Sequence, residues 1–332
     1  MQTFHAQDAV ELAVVRRSGF VESRHIGSAI LLNADGSPRI SYGDIDTPIF
    51  PRSALKPFQT IASMNAGAEL QGAQIALASG SHTGSFEHMK VAQSILAEAG
   101  LDDSALQCPH ALPSDQPSLQ ALFRAGKGAQ RLAFNCSGKH SAFLWACIKN
   151  GWNIDYYLDP KHPLQQRVLE TISHCVQEDV SIVGVDGCGA PLAALSLRAL
   201  ARGYSLLGAG IENIHADARV ATVATAMVDY PEYLQGVDTP YTRLSVLLDG
   251  VVKGGAEGVL AIGLRDGSSL CIKVLDGSHR ALVVIALSIL EQAGLITAQQ
   301  RAQGIEQCTS PIMGAGTVVG AVEPGAALQQ EV

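Results

Sequence analysis

The chain has little charge and no concentration of it. Only 16% of its 332 residues are Asp, Glu, Lys or Arg, the net charge is −8, and no run rich in lysine and arginine occurs. Such a surface argues against a nucleic acid or an anionic membrane as a partner. No stretch approaches the roughly 18 uninterrupted apolar residues of a membrane span. The first ten residues also lack the layout of a signal peptide.

Cysteine is present but follows no spacing pattern. The seven cysteines are an odd number, are scattered along the chain and include no C-x-x-C pair. This distribution argues against a disulfide framework and favours a cytoplasmic location with reduced thiols.

Strand patterns occur at both ends of the chain, with mostly helical patterns between them. Strands are expected at 12–17, 29–33, 39–42, 258–264, 270–274 and 317–322, and helices at 53–66, 86–99, 117–125, 141–150, 163–176, 215–228 and 281–293. Residues 181–185 are expected to form a buried strand. We therefore predict a single α+β domain. Residues 8–52 and 240–326 would form an antiparallel sheet lobe with helices, and residues 53–239 a helix-rich lobe.

Ser53 and Lys56 lie at the start of the first expected helix, three residues apart on one face. A serine hydroxyl attacks at neutral pH only when a base takes its proton, and a neutral lysine is such a base. The helix N-terminus favours negative charge on the serine oxygen and a lower pKa for the lysine. The alternative is a helix-capping serine followed by a solvated lysine.

Further candidates lie in glycine-flanked loops. Ser81 and His82 belong to a small-residue loop before a helix, where a second hydroxyl or a base could face a ligand. The alternatives are a turn with a cap for Ser81 and a structural role for His82. Lys253 precedes two glycines near a strand and is comparable to the K-T-G lysine of serine acyltransferases, with Gly254 in place of the threonine. Arg52 suits a substrate carboxylate or a solvated surface.

Two other loops suggest a metal site. Cys136 and Cys188 each lie in a tight loop, and Cys136 is four residues from His140, which is also plausible spacing for a zinc pair. Two unrelated buried thiols are the alternative.

Several blocks together resemble the rhizobial-type L-asparaginases, the asparaginase II-like family. The matching blocks are residues 15–23 with His25 and Gly27, then 50–59, 135–140, 161–165, 184–191, 255–258 and 318–320. The resemblance implies a fold like that of serine β-lactamases and glutaminases, and a homodimer. It implies two serine–lysine pairs, Ser53 with Lys56 and Ser81 with Lys253. It also implies a zinc ion held by Cys136, Lys139 and Cys188. In this set Lys139, and not His140, is the ligand beside the two cysteines.

From this resemblance we predict a cytoplasmic enzyme that hydrolyses L-asparagine to L-aspartate and ammonia. Arg52, Asp186 and His140 are the predicted substrate-binding residues, with Asp186 for the α-ammonium and Arg52 for the α-carboxylate. One alternative is a glutaminase or a β-lactam-type acylase on the same serine–lysine site. Another is a zinc-stabilised protein that binds an amino acid without converting it.

Overall fold

An antiparallel sheet built from both ends of the chain is the largest element of the fold. The computed structural model describes residues 2–329. Their strands are β1 (Val10–Arg17), β2 (Phe20–Leu32), β3 (Pro38–Tyr42), β4 (Val183–Val185), β5 (Pro191–Ala193), β6 (Val251–Gly255), β7 (Val259–Gly263), β8 (Ser269–Val274), β9 (Ile312–Gly314) and β10 (Thr317–Pro324). The sheet order is β6-β7-β8-β2-β1-β10-β9, with β3 also paired to β2. Strands β4 and β5 form a separate hairpin.

Most of the helices lie in the middle of the chain. They are α1 (Lys56–Asn65), α2 (Ala73–Ser79), α3 (Phe86–Glu98), α4 (Gln116–Arg124), α5 (Ser137–Asn150), α6 (Pro163–Val176), α7 (Leu197–Gly210), α8 (Ala218–Asp229), α9 (Pro240–Leu248), α10 (Leu282–Gln292) and α11 (Ala298–Cys308). Between residues 2 and 329, no helix combines the length and apolarity needed to cross a membrane. The α+β class predicted from the sequence is confirmed.

Contacts within the chain define two units. Within the described residues, the first unit comprises the chain up to Ala54, Leu195–Ala209, and the chain from Arg243 onward. It contains the large sheet, and α10 packs against β1, β8 and β10. Every residue of β6, β7 and β8 is buried. These strands are therefore covered on both faces, and the core of this unit lies there.

The second unit comprises Leu55–Ala194 and Gly210–Thr242. Helix α5 is its centre: it packs against α1, α2 and α3, and all of its residues from Ser137 to Cys147 are buried. A helix that is buried on every side belongs in a core rather than at a surface. Its N-terminal turn therefore presents side chains to the interior of the unit.

Residues 195–209 belong to the first unit, although they lie in the helix-rich middle of the chain. Helix α7 lies against β7 because glycines let the two backbones approach. A Cβ at Gly263 would lie 2.2 Å from the Tyr204 carbonyl oxygen, and one at Gly208 would lie 2.2 Å from that of Leu264. The helix thus contacts the sheet through its own backbone.

The prediction of a buried strand at 181–185 was wrong about burial. The strand is shorter, Val183–Val185, and its valines are 41% and 75% exposed. It pairs only with β5, whose residues Pro191–Ala193 are all buried. A run of apolar residues indicates a strand, but it does not say which strand of a hairpin is on the outside.

Candidate active site

The N-terminal turn of α5 carries three of the predicted site residues. Cys136 occupies the N-cap position, and Lys139 and His140 follow within the first turn, all of them buried. Helix α2 lies close to this turn because Gly138 has no side chain: a Cβ there would come within 2.7–2.9 Å of Leu77 atoms. The sequence prediction began this helix at residue 141, four residues later than the structure does.

The β4–β5 turn brings the fourth residue, Cys188, to this helix. Lys139 Nζ lies 3.2 Å from Cys188 Sγ. The turn is closed by hydrogen bonds from the Asp186 N–H to the Ala190 carbonyl (2.9 Å) and from the Gly189 N–H to the Asp186 carbonyl (2.8 Å). Asp186 Oδ2 lies 3.9 Å from Cys188 Sγ. The structure therefore brings together Lys139, Cys188 and Asp186.

The charges in this cluster are interdependent. A hydrogen bond from the Cys136 thiol, with further help from Lys139 and His140, holds the pKa of Cys188 far below its usual range despite burial. The same hydrogen bond and burial raise the pKa of Cys136. Burial acts to lower the pKa of Lys139, but the Cys188 and Cys136 sulfurs outweigh it and raise that pKa. The cluster is thus a buried lysine ammonium paired with a Cys188 thiolate.

Donor chemistry decides whether these residues suit a metal ion. Among residues 2–329, no three His, Cys, Asp or Glu side chains are grouped so that they could hold a metal. The set that the resemblance implies therefore depends on Lys139 as its third donor. Nitrogen and sulfur ligands of a tetrahedral zinc ion stand about 3.5 Å apart, and Lys139 Nζ and Cys188 Sγ are 3.2 Å apart. Two sulfurs and one amine fit an open zinc site, provided that Lys139 loses a proton.

Lys56 is buried, and its ammonium is bound within the second unit. Its Nζ donates to the Gly80 carbonyl, to Ser81 Oγ at 3.0 Å and to the Asn135 carbonyl at 3.1 Å. Burial lowers the pKa of Lys56, and the charge of Lys139 adds to this lowering. Sequence reasoning paired Lys56 with Ser53 alone. The structure places the Lys56 ammonium at the hydroxyl of Ser81.

The loop that carries Ser81 is held by the turn at 234–235, which follows a short 3-10 helix, Pro231–Tyr233. The Ser81 N–H donates to the Leu234 carbonyl at 2.6 Å, and the Thr83 N–H donates to that of Gln235 at 2.7 Å. Gly80 is required here, because a Cβ would come within 2.6 Å of the Tyr233 carbonyl oxygen. The Ser81 hydroxyl is half-buried, but its N–H is already used and does not offer a site for an oxyanion.

His82 has a structural role. Its Nδ1 accepts from the Gly84 N–H at 3.2 Å, and its Nε2 lies 3.0 Å from Ser137 Oγ, which itself donates to the Leu132 carbonyl. Both ring nitrogens are therefore occupied. Burial keeps the pKa of His82 well below its ordinary value. The alternative of a structural loop histidine agrees with these contacts, and a general base at this position does not.

Ser53 belongs to the first unit and lies in a short 3-10 helix, Arg52–Leu55, before α1. Tyr204 Oη donates to the Ala54 carbonyl at 2.8 Å, which anchors this turn to α7. Arg52 has φ +55°, a left-handed conformation that is uncommon for a non-glycine residue and is often found at functional sites. The Ser53 side chain is half-buried and does not cap α1.

Lys253 is in the middle of β6, inside the strand rather than on an approach to it. It pairs with Ala261, it is buried, and its Nζ donates to the Gly254 carbonyl at 2.8 Å. Gly255 lets this strand approach the Ser53 turn, since a Cβ there would lie 2.2 Å from the Pro51 carbonyl oxygen. In the first unit, the strand of Lys253 therefore lies against the turn of Ser53.

His140 contacts a residue that sequence reasoning missed. Its Nδ1 lies 2.7 Å from the hydroxyl oxygen of Tyr157, which is fully buried. Tyr157 comes directly after a short 3-10 helix, Ile154–Tyr156, and belongs to no sequence motif. Only its position in the fold gives it a place in the site.

Comparison with protein families decides the assignment. Residues 13–324 match the family L-asparaginase II. The chain belongs to the L-asparaginase II family. The resemblance found in the sequence is thereby confirmed, and membership supports an amidohydrolase role.

No curated protein sequence matches this L-asparaginase II chain significantly. Among solved structures, it is 12% identical to Mglu in its native form over 81% of this chain and 64% of that one, with a TM-score of 0.46. A β-lactamase from Mycobacterium bovis is 13% identical (80% and 94% covered, TM-score 0.44). A probable glutaminase from Bacillus subtilis, complexed with 6-diazo-5-oxo-L-norleucine, is also 13% identical (85% and 84% covered, TM-score 0.31). Similarity at this level does not carry a substrate or a mechanism to this chain.

Proposed function

We propose that this L-asparaginase II family member is a cytoplasmic amidohydrolase that converts L-asparagine and water to L-aspartate and ammonia, with Ser53 as nucleophile and Lys56 as base. The observation that carries the proposal is the buried Lys56, whose pKa is lowered and whose Nζ lies 3.0 Å from a second serine hydroxyl. A lysine solvated on the surface would have neither property. The three-residue spacing and the family assignment support Ser53 as its other partner.

The reaction follows from these groups in two halves. Neutral Lys56 accepts the hydroxyl proton of Ser53 while Oγ bonds to the side-chain amide carbon of asparagine, which gives a tetrahedral oxyanion. The C–N bond breaks as the leaving nitrogen receives that proton through the Ser81 hydroxyl, and ammonia departs. Water then attacks the aspartyl ester, and its proton passes through Lys56 to Ser53 Oγ as the ester bond breaks. This releases L-aspartate and restores the serine hydroxyl and neutral Lys56. We assign Lys253 to the support of Ser81 in this transfer.

Three further residues are proposed to hold the substrate. The Asp186 carboxylate suits the α-ammonium, and the Arg52 guanidinium suits the α-carboxylate through a charge-assisted hydrogen bond. His140 is proposed as a donor to the substrate. The active unit is proposed to be a homodimer, on the family resemblance alone.

The first experiment is the direct assay of the purified chain. We expect ammonia from L-asparagine, with kcat/KM for L-glutamine lower by about tenfold or more, as is common for one additional methylene in a fitted pocket. A chromogenic β-lactam is the third substrate. Binding of asparagine without ammonia release would identify a binding protein, and a preference for glutamine or the β-lactam would reassign the substrate.

We also propose one zinc ion at Cys136, Lys139 and Cys188. A zinc ion bound there would supply positive charge that polarises a substrate oxygen and orients it. The residues themselves join the start of α5 to the β4–β5 turn through Lys139 and Cys188.

Elemental analysis tests this site. Protein purified without chelator should contain about one zinc per chain, the stoichiometry of a mononuclear site. Cys188→Ala should lose it, because the site would keep a single sulfur. Cys175→Ala removes another buried thiol, one in α6, and should retain the metal. Full zinc occupancy in a variant lacking both Cys136 and Cys188 would exclude the site.

The dependence of activity on pH tests the base. A lysine acts as a base only when neutral, so activity must rise as the pH passes its pKa. Burial lowers the pKa of Lys56 from the ordinary value of about 10.4. The rise of kcat/KM should therefore begin near neutrality and reach its maximum at about pH 8 to 10. A histidine base would complete the rise near pH 7. A profile that is flat above pH 7 and moves in His82→Gln would contradict the lysine mechanism.

A further inference from the structure

The hydroxyl of Tyr157 has two hydrogen-bond partners within residues 2–329. Its oxygen lies 3.0 Å from the backbone nitrogen of Gln107 and 2.7 Å from His140 Nδ1. The tyrosine ring packs edge-on against the imidazole, with the ring centroids 5.6 Å apart. Gln165 fixes the backbone beneath it by donating to the Tyr157 carbonyl at 2.8 Å.

The direction of each hydrogen bond follows from the available hydrogens. The Gln107 N–H can only donate, so the phenol oxygen is its acceptor. The phenol has a single hydrogen, and His140 Nδ1 is the acceptor within reach. Nδ1 must then carry the lone pair of a neutral imidazole. The remaining proton of His140 is therefore on Nε2.

We propose that Tyr157 is a positioning residue that holds His140 as the Nε2–H tautomer, so that His140 acts as a hydrogen-bond donor and not as a metal ligand. A ring nitrogen can bind a metal only through a free lone pair, and the tautomer is set by the partner of the other nitrogen. The spacing of Cys136 and His140 would otherwise suit a zinc pair. The tyrosine removes His140 from that set and leaves Lys139 as the third donor.

The Nε2–H group is buried, and no nitrogen or oxygen atom within residues 2–329 accepts from it. Its side-chain neighbour is the sulfur of Cys188. Sulfur is a weak hydrogen-bond acceptor, so a buried N–H beside it gains from a stronger one. An oxygen of bound asparagine, such as a carboxylate oxygen, is the acceptor that we assign. This substrate role rests on the proposed function, whereas the tautomer itself does not.

Nitrogen NMR of histidine-labelled protein reads the tautomer directly. Long-range proton–nitrogen correlations distinguish a ring nitrogen that carries hydrogen from one that carries a lone pair, and His140→Gln identifies which of the ten histidines is being observed. Wild-type protein should show hydrogen on Nε2 and a lone pair on Nδ1 of His140. Hydrogen on Nδ1, or a metal-bound nitrogen, would overturn the proposal without any variant.

Two matched variants then test Tyr157. Tyr157→Phe keeps the packed ring and removes the hydroxyl, so His140 should show a population with hydrogen on Nδ1. The KM for asparagine should rise about tenfold, the size of one lost hydrogen bond to a charged group, while kcat stays within about twofold. Tyr156→Phe alters the neighbouring exposed ring and should change neither.

A folded Tyr157→Phe protein in which His140 keeps hydrogen only on Nε2 would exclude Tyr157 as the positioning residue. If that variant does not fold, the wild-type spectrum still decides the tautomer. If the protein shows the expected tautomer but releases no ammonia from asparagine, the proposed function fails and the tautomer assignment stands.

Discussion

Replacing Ser53 with alanine is expected to lower kcat/KM for L-asparagine by at least about 10⁴-fold, the loss typical of a covalent nucleophile. The half-buried hydroxyl lies in a turn held by Tyr204 and followed directly by the helix of Lys56. Removing one oxygen from a half-buried side chain should leave the fold unchanged. The measurement is the rate of ammonia release, with circular dichroism and thermal unfolding as checks on the fold.

Ser81→Ala is the informative comparison. Ser81 is proposed to relay a proton, so its loss should reduce the rate by about 10²- to 10³-fold, within the range of general acid–base catalysis. Ser63→Ala removes another serine hydroxyl, one that donates to the Gln59 carbonyl within α1, and should keep near-wild-type activity. If Ser53→Ala retains activity while Ser81→Ala loses it, the nucleophile is Ser81, which the 3.0 Å contact with Lys56 would then explain.

Local patterns predicted most elements of the fold. The alternation at 39–42 and the helical spacing at 163–176 correspond to β3 and α6 within one residue at either end. Gly100 and Gly151 both adopt positive φ, within two residues of the ends of α3 and α5. These signals are encoded within a few residues, so they can be read without the rest of the chain.

Features that depend on residues distant in the chain could not be predicted from local sequence patterns. Helix α7 was missed, and its place against β7 depends on glycines 55 residues apart that lie back to back on neighbouring elements. The exposure of Val183 and Val185 depends on which strand of a hairpin faces outward. In both cases tertiary contacts decide a property that the local sequence leaves open.

The same distinction applies to the site. Ser53 and Lys56 were identified by their spacing, because residues three positions apart at a helix start share one face. The approach of Lys139 to Cys188 joins residues 49 apart in the chain, and the resemblance to a family supplied the ligand set there. Tyr157 had no signal of either kind. Its role depends on a hydrogen bond to His140 across 17 residues.

Lys56→Met is expected to lower kcat/KM for asparagine by about 10³- to 10⁴-fold, because it removes the base and keeps a side chain of similar length. In the structure the ammonium donates to the Gly80 and Asn135 carbonyls, and these would lose a donor in the variant. Each buried acceptor left unpaired costs about 1–3 kcal/mol. The buried charge disappears at the same time, and this offsets part of that cost.

Thermal unfolding measured beside the assay separates loss of the base from loss of the fold. Lys149→Met is the matched control, since its side chain is 40% exposed and pairs with Glu69 on the surface. An exposed ion pair contributes at most about 1 kcal/mol, so this variant should keep its activity and nearly all of its stability. A folded Lys56→Met enzyme with more than about a tenth of the wild-type rate would contradict Lys56 as base. A lysine that acts in the chemical step cannot be replaced by methionine at so small a loss.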